Sequence, residues 1–305
     1  MTLVTGDKVL RAAQKGKYAV GAFNVNNLEI LQAIVAAAEK LRSPIILQTS
    51  EGAIAYAGLH NLRLLIAEAA KHASVPIVLH LDHGRDLKLV KQCIDIGYTS
   101  IMYDGSHLPF AENVANTAKV VEWAREKGAS VEAELGTIGG AEDKVSSRQI
   151  LLTDPTAAVQ FVKQTNCDSL AIAIGTSHGA YKFAGEAKLD LGRLQVIREL
   201  VKIPLVLHGA SSVPSWLVDK VQKFGGKLAG TEGVPEDQLT RAIGFGICKI
   251  NTDTDLRLAF VAGMREFLIT HPDDVDPRHI FTAGKEELQH VVEHRIQLFG
   301  SAGKA

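Results

Sequence analysis

PIVLHLDHG (residues 76–84) is the stretch that decides the fold. Its apolar run has the length of a buried strand, and it ends on Asp82, His83 and Gly84, so polar groups emerge where strand gives way to loop. The pattern returns twice. DSLAIAIGTSHG (168–179) delivers His178 and IPLVLHGAS (203–211) delivers His208, each again followed by glycine. Neutral imidazole is the commonest protein ligand for zinc, and three protein ligands leave a position for water or substrate. Three histidines so placed point to an open, catalytic metal site, since a closed structural site would need a fourth protein ligand. The chain has eleven histidines, and one chosen blind more often titrates at a surface or makes a single core hydrogen bond. His60, His72, His271, His279, His290 and His294 stand in polar or helix-like surroundings and carry no claim. His80 shares strand parity with Asp82 and reads as a hydrogen-bonded interior residue.

Working outward, strand-like and helix-like stretches alternate throughout. The strand candidates are 18–24, 43–50, 75–82, 98–104, 129–134, 168–174, 203–208 and 246–251, with helical periods between them at 28–42, 62–73, 87–96 and 111–128. Most of the strands are continuous apolar runs, as strands buried on both faces must be. Eight βα repeats of this kind predict an α/β protein, a closed (β/α)8 TIM barrel with additional C-terminal helices, spanning 1–305 as one domain. The rival, a doubly wound sheet, lacks support because no G-x-G-x-x-G follows the first strand. Asn24, Ser50, Asp82 with His83, Asp104, Glu134, His178, His208 and Asn251 stand at or just past the ends of these strands. In a barrel that end is the face where active sites are built. Solvated strand ends would explain Asn24 and Ser50 alone, but not three histidines and three acids together.

A 46% hydrophobic and 22% charged composition fits a globular enzyme. The net charge of −1 leaves no basic field for nucleic acid or a membrane surface, so an anionic substrate must be held by local donors. Three widely separated cysteines match no paired-ligand spacing and suit a reducing cytoplasm. The N-terminus lacks a signal peptide's apolar core, which again predicts a cytoplasmic protein. GTIGGAEDKVSSRQ (136–149) reads as a polar, Gly-rich active-site lid, KFGGKLAGTEGVPEDQ (223–238) as a second mobile stretch, and about 286–299 as a final helix.

Asp82 can be a partner for a ligating imidazole or a proton-transfer group. Asp104 and Glu134 could hold a second, harder cation, orient the metal-binding histidines, or be salt-bridged or helix-capping acids. HGASS (208–212) and INTDTDLRLAF (250–260) place small residues, then Thr252, Asp253 and Thr254, at a helix start, which is a ready anion site. Phosphate binding after the last two barrel strands is the recurrent arrangement. The residues alone thus predict a metal-dependent barrel enzyme acting on a phosphorylated small molecule by carbanion or enediolate chemistry.

HLDHG, SVEAELG, AIGTSHGAYK, PLVLHGAS and KINTDTDLRLAF, with GAFNVNN (21–27) and QLFGSAGK (297–304), together resemble class II, zinc-dependent fructose-1,6-bisphosphate aldolase over nearly the whole chain. The resemblance implies reversible aldol cleavage of fructose 1,6-bisphosphate to dihydroxyacetone phosphate and glyceraldehyde 3-phosphate, in glycolysis and gluconeogenesis, through a zinc-stabilised enediolate. It makes His83, His178 and His208 the ligands of the catalytic Zn2+, Asp104 and Glu134 a second divalent metal position, and Asp82 the base on the C4 hydroxyl. Glu142 matches the acid that exchanges the C3 proton. Gly179, Lys182, Gly209, Ala210, Ser211, Asn251, Thr252, Asp253 and Thr254 match the dihydroxyacetone phosphate site, assisted by a monovalent cation (Na+ or K+). Ser50 matches a contact to the glyceraldehyde 3-phosphate portion. Arg278 matches an arginine that reaches a neighbouring subunit's distal phosphate, implying a homodimer or homotetramer. One departure is that the segment after Asp143 is shorter and less acidic than in many relatives.

Tagatose-1,6-bisphosphate aldolase shares fold, metal and chemistry, but that branch tends to read NVATEL where this chain has NTDTDL. A zinc hydrolase on the same barrel usually presents His-x-His at the first strand, where this chain has FNVNN. A Schiff-base aldolase needs a strand-borne lysine. Lys249 is the candidate and, read as differing in strand parity from Asn251, is expected to point out of the barrel.

Overall fold

The computed structural model describes residues 3–142, 145–147, 151–178, 188–228 and 233–305, with the backbone alone at 139–142, 145–147 and 178. In chain order the elements are α1 (Gly6–Gly16), β1 (Val20–Asn24), α2 (Leu28–Leu41), β2 (Ile45–Ser50), α3 (Glu51–Ala57), α4 (Leu59–His72), β3 (Ile77–Gly84), α5 (Leu87–Asp95), β4 (Ser100–Tyr103), α6 (Phe110–Glu126) and β5 (Ser130–Leu135). Then come β6 (Gly139–Glu142), β7 (Val145–Ser147), α7 (Pro155–Thr165), β8 (Ser169–Ile172), β9 (Ser177–His178), α8 (Leu191–Leu200), β10 (Leu205–Leu207), α9 (Ser215–Lys223), α10 (Glu236–Gly244), β11 (Ile247–Thr252), α11 (Thr254–Thr270) and α12 (Pro277–Leu298).

Eight parallel strands close into a barrel in the order β1-β11-β10-β8-β5-β4-β3-β2, and they are the eight runs expected from sequence. Every residue of β3 is buried, for the reason its composition announces: one face meets helices and the other fills the barrel. Ile77, Leu79 and Leu81 join the outer core with Ile66 and Val90. Val78 belongs to a separate interior cluster with Val20, Ala22, Ile46 and Cys248, packed on Val9, Leu10 and Ala13 of α1. Helix α1 therefore plugs the N-terminal end of the barrel. Its first residue enters so closely that a Cβ on Gly6 would lie 2.7 Å from Ser100 Oγ.

The helix starts follow their caps. Asn27 accepts from Ile30 N–H at α2, Asp86 from Lys88 N–H at α5, and Asp154 from Ala157 N–H before Pro155 at α7. Helix α12 starts at Pro277, well before the expected Glu286, because Asp276 caps it and Pro277 fills its first turn. It packs against α2 and α11.

The segment 136–149 is not a plain polar excursion. Its described part forms a hairpin, β6 with β7, whose Gly139 and Gly140 pair in parallel with Ser177 and His178 of β9. Backbone N–H and C=O groups can satisfy one another in a strand of any side-chain polarity, which the hydrophobic pattern does not reveal. Residues 143, 144 and 148–150 lie outside the described residues, as do 229–232 of the second stretch. Among the described residues no helix is long and apolar enough to cross a membrane.

Candidate active site

The strand ends meet in one hydrogen-bonded cluster. Asp82 accepts from three side-chain amides: Asn24 Nδ2 at 3.0 Å and Gln48 Nε2 at 3.3 Å on Oδ2, and Asn251 Nδ2 at 2.9 Å on Oδ1. A carboxylate offers about four lone-pair directions, so one acceptor direction remains on Asp82 for a proton or a hydroxyl. β1, β2, β3 and β11 supply these four residues, and their adjacency is the barrel order itself.

His83 and His208 face each other across the same space. His208 Nδ1 lies 3.0 Å from His83 Nε2, and the rings meet edge to face. Asn251 Nδ2 also donates to His208 Nδ1, at 2.9 Å. His83 has φ near 47°, a left-handed conformation rare outside glycine, so its ring direction is set against a backbone cost. His208 is followed by Gly209 at φ 60°, where a Cβ would stand 2.9 Å from the Ser177 carbonyl, so the loops bearing His178 and His208 touch at that glycine. The next loop residues are held by Asp255, which accepts from Val213 N–H at 2.9 Å and is itself paired with buried Arg295. That ion pair restrains Val213 at φ 48°, an unusual conformation for a β-branched residue.

Behind His83, Asp104 Oδ2 lies 3.1 Å from Nδ1 and also pairs with Arg85 at 2.8 Å, while Asp104 Oδ1 accepts from Ser106. Glu134 Oε2 lies 3.7 Å from His83 Nδ1 and has no hydrogen-bond partner, an orphaned buried acceptor beside the cluster. Burial disfavours the imidazolium of His83, but the carboxylates of Asp82, Asp104 and Glu134 outweigh it and raise the group to about 10. Burial, then the Asp104 charge, raises Glu134 to about 8. Asp104 is buried too, yet His83 and Arg85 hold it well below the usual carboxylate range.

The 3.0 Å approach of His83 Nε2 and His208 Nδ1 lies within the donor set that a cation would take. Among the described residues two groups of ligand atoms lie close enough for an ion, Asp82 with His83 and His208, and His83 with Asp104 and Glu134. Imidazole nitrogens and a carboxylate, buried and convergent, are the donor types zinc prefers. The sign of the pH dependence follows. His83 and Glu134 both bind protons more tightly folded than unfolded, so the stability they contribute to the metal-free protein is full at low pH. It falls as pH rises above 4.5 for Glu134 and above 6.5 for His83, and is gone beyond about 8 and about 10 respectively. A metal on His83 must displace its proton. Zinc binding at pH 7 is expected to release about one proton, with affinity rising on the order of tenfold per pH unit; titration calorimetry in buffers of different ionisation enthalpy measures this.

Other expected site residues are placed less directly. Ser50 Oγ caps α3 by accepting from Ala53 N–H. Asp253 precedes α11 without capping it and pairs with Arg257. Asn251, Thr252 and Thr254 are buried at the strand end, as are Ala210 and Ser211 after β10. Arg278 is exposed at the start of α12 and paired with Asp276. The side chains of His178 and Glu142 lie outside the described residues, as do Gly179 and Lys182 altogether; the backbone of His178 ends β9.

Lys249 corrects an expectation. It stands two residues before Asn251, so the period-two alternation puts both on one face, and its ammonium lies inside the barrel, 2.9 Å from Glu132 Oε2. Glu132 and Gln48 were not among the expected site residues. The signal was available: Gln48, His80, Glu132 and Lys249 each stand two positions before a strand-end residue, in the layer beneath Ser50, Asp82, Glu134 and Asn251.

Known proteins resemble this chain over nearly its whole length. The family model of class-II fructose-bisphosphate aldolase matches residues 4–304. The chain is 47% identical to a fructose-bisphosphate aldolase of Giardia intestinalis, covering 100% of this chain and 95% of that one. It is 48% identical to the one of Thermus caldophilus, covering 99% and 100%. A crystal structure of a putative fructose-1,6-biphosphate aldolase from Coccidioides immitis superposes with a TM-score of 0.82 at 31% identity, covering 98% of this chain and 97% of that one.

Proposed function

The chain belongs to the class II fructose-bisphosphate aldolase family, and we propose on that basis that its strand-end cluster performs the reversible cleavage of fructose 1,6-bisphosphate to dihydroxyacetone phosphate and glyceraldehyde 3-phosphate. The observation that carries the reading is Asp82, held by three amides with one acceptor direction left, beside two imidazole nitrogens 3.0 Å apart.

His83 through Nε2, His208 through Nδ1, and His178 would hold the zinc ion. Bound there, zinc would polarise the ketone and offset the negative charge that develops as the C3–C4 bond breaks. Asp82 takes the C4 hydroxyl proton in cleavage and returns it in condensation. Asn24, Gln48 and Asn251 can only donate to it through their amide hydrogens, so they hold it as a carboxylate and fix its aim. Glu142 is assigned the proton exchange at C3. Asp104, already bonded to the His83 ring, orients that ligand, and with Glu134 it offers a second divalent position.

The dihydroxyacetone phosphate end is assigned to Gly179, Lys182, Gly209–Ser211 and Asn251–Thr254, with a monovalent cation, Na+ or K+. The N-terminus of α11 supports this, since the Asp253 side chain pairs with Arg257 and makes no capping bond to the first N–H groups of the helix. Ser50 faces the glyceraldehyde 3-phosphate portion. Arg278, exposed and carried on a rigid helix start, is assigned to the distal phosphate in a neighbouring subunit of a homodimer or homotetramer. Three buried free cysteines suit a cytoplasmic setting.

Purified zinc-loaded protein is expected to cleave fructose 1,6-bisphosphate with kcat/KM at least about tenfold above that for the tagatose epimer, the discrimination one misplaced hydroxyl contact gives. Equal or reversed preference in a coupled triose phosphate assay would overturn the substrate assignment.

A further inference from the structure

Beneath the catalytic cluster lies a second buried polar group, Lys249, Glu132 and His80, which the proposed chemistry does not use and which touches His208. Lys249, Glu132, His80 and His208 are each at most 2% exposed. Lys249 Nζ donates to Glu132, at 3.0 Å from Oε1 and 2.9 Å from Oε2, and lies 3.4 Å from His80 Nε2. Glu132 Oε1 lies 2.6 Å from His208 Nε2, and His80 Nδ1 lies 2.8 Å from Ser100 Oγ.

The roles in this chain are fixed by what each group can do. An ammonium has three donors and no acceptor, so Glu132 and His80 Nε2 must accept from Lys249. Glu132 then presents only acceptors to His208, and Nε2 of His208 must carry the hydrogen. Nδ1 is left with its lone pair, directed at His83 Nε2 and the Asn251 amide. We infer that Lys249 and Glu132 are positioning residues that lock His208 in its Nε2–H tautomer, holding Nδ1 ready for the metal. This rests on the proposed role of His208 as a zinc ligand and adds what sets its orientation.

A purely structural role fits the surroundings less well. The neighbours in register are Met102 beside Glu132 and Val206 beside Lys249, and with Ala171 they form an apolar interior cluster. This layer of the barrel therefore accepts hydrophobic side chains, and a buried ion pair is commonly replaceable by them without loss of stability. What hydrophobic residues cannot supply is an acceptor for His208 Nε2–H. Partners of that kind typically govern metal affinity by 10–100-fold.

The test is zinc affinity, by competition with a chromophoric chelator, for wild type, His208→Ala, Glu132→Gln and the double variant Glu132→Met/Lys249→Met. The double variant is expected to fold and to bind zinc about 10–100-fold more weakly. Glu132→Gln, whose amide oxygen still accepts from Lys249 and His208, is expected to keep most of the affinity. Nitrogen-15 spectra of the metal-free wild type are expected to show His208 as the Nε2–H tautomer, a reading that needs no variant to fold. An Nδ1–H tautomer, or a folded double variant that binds zinc as tightly as wild type while His208→Ala does not, would overturn the inference alone. Undiminished zinc binding by His208→Ala would overturn the assignment of the site, and this inference with it.

Discussion

Asp82→Ala is expected to lower turnover of fructose 1,6-bisphosphate by on the order of 10²–10⁴-fold, the range lost with a general base, while the protein still binds zinc. The carboxylate is held by Asn24, Gln48 and Asn251, and none of these amides can act as a base in its place. Asp82→Asn separates charge from shape. The amide is nearly isosteric, but in place of one acceptor oxygen it brings donors into a site already lined with donors, so turnover falls comparably. Metal analysis of the purified variants is part of the measurement, because His83 and His208 keep their own partners. Near-normal cleavage by Asp82→Ala, with zinc bound, would remove Asp82 from the role given to it.

The second large effect is on stability. Lys249→Met alone is expected to destabilise the protein by about 3–5 kcal/mol, the usual cost of leaving one member of a buried ion pair uncompensated. Glu132 would keep its bond from His208 but lose its only cation among the described residues. Urea denaturation of the metal-free protein reads this directly. The companion change, Glu132→Met in the Lys249→Met background, should recover most of the loss. A loss below about 1 kcal/mol for the single variant would mean that Glu132 does not depend on Lys249 for its burial.

Much of the architecture is legible in the chain because barrel strands are buried on both faces. PIVLHLDHG reads as a strand for its whole length, and the structure keeps it from Ile77 to Gly84. Its polar end is equally legible, since Asp82 and His83 interrupt an apolar run at the mouth of the barrel. The interior was harder to read. Lys249 and Glu132 sit inside apolar surroundings, and only the alternation of period two shows that they share a face with Asn251 and Glu134. Lys249 points inward by that alternation, and the ammonium it buries is bonded to Glu132, below the catalytic cluster. The hairpin of β6 and β7 could not be read from hydrophobic pattern, because its pairing uses backbone groups in a Gly-rich polar stretch. Helix α12 gave its start away in Asp276 and Pro277, a cap and first-turn pair that outweighs the weak periodicity after it.

We propose that this barrel cleaves its sugar bisphosphate by zinc held on strand-end histidines, without a covalent lysine adduct. The most direct test follows fructose 1,6-bisphosphate cleavage before chelation, after chelation, and after restoring zinc, with a parallel sample treated with borohydride in the presence of substrate. Activity is expected to be lost on chelation, regained with zinc, and untouched by borohydride. Turnover that survives chelation, or inactivation by borohydride with substrate bound to a lysine, would contradict it.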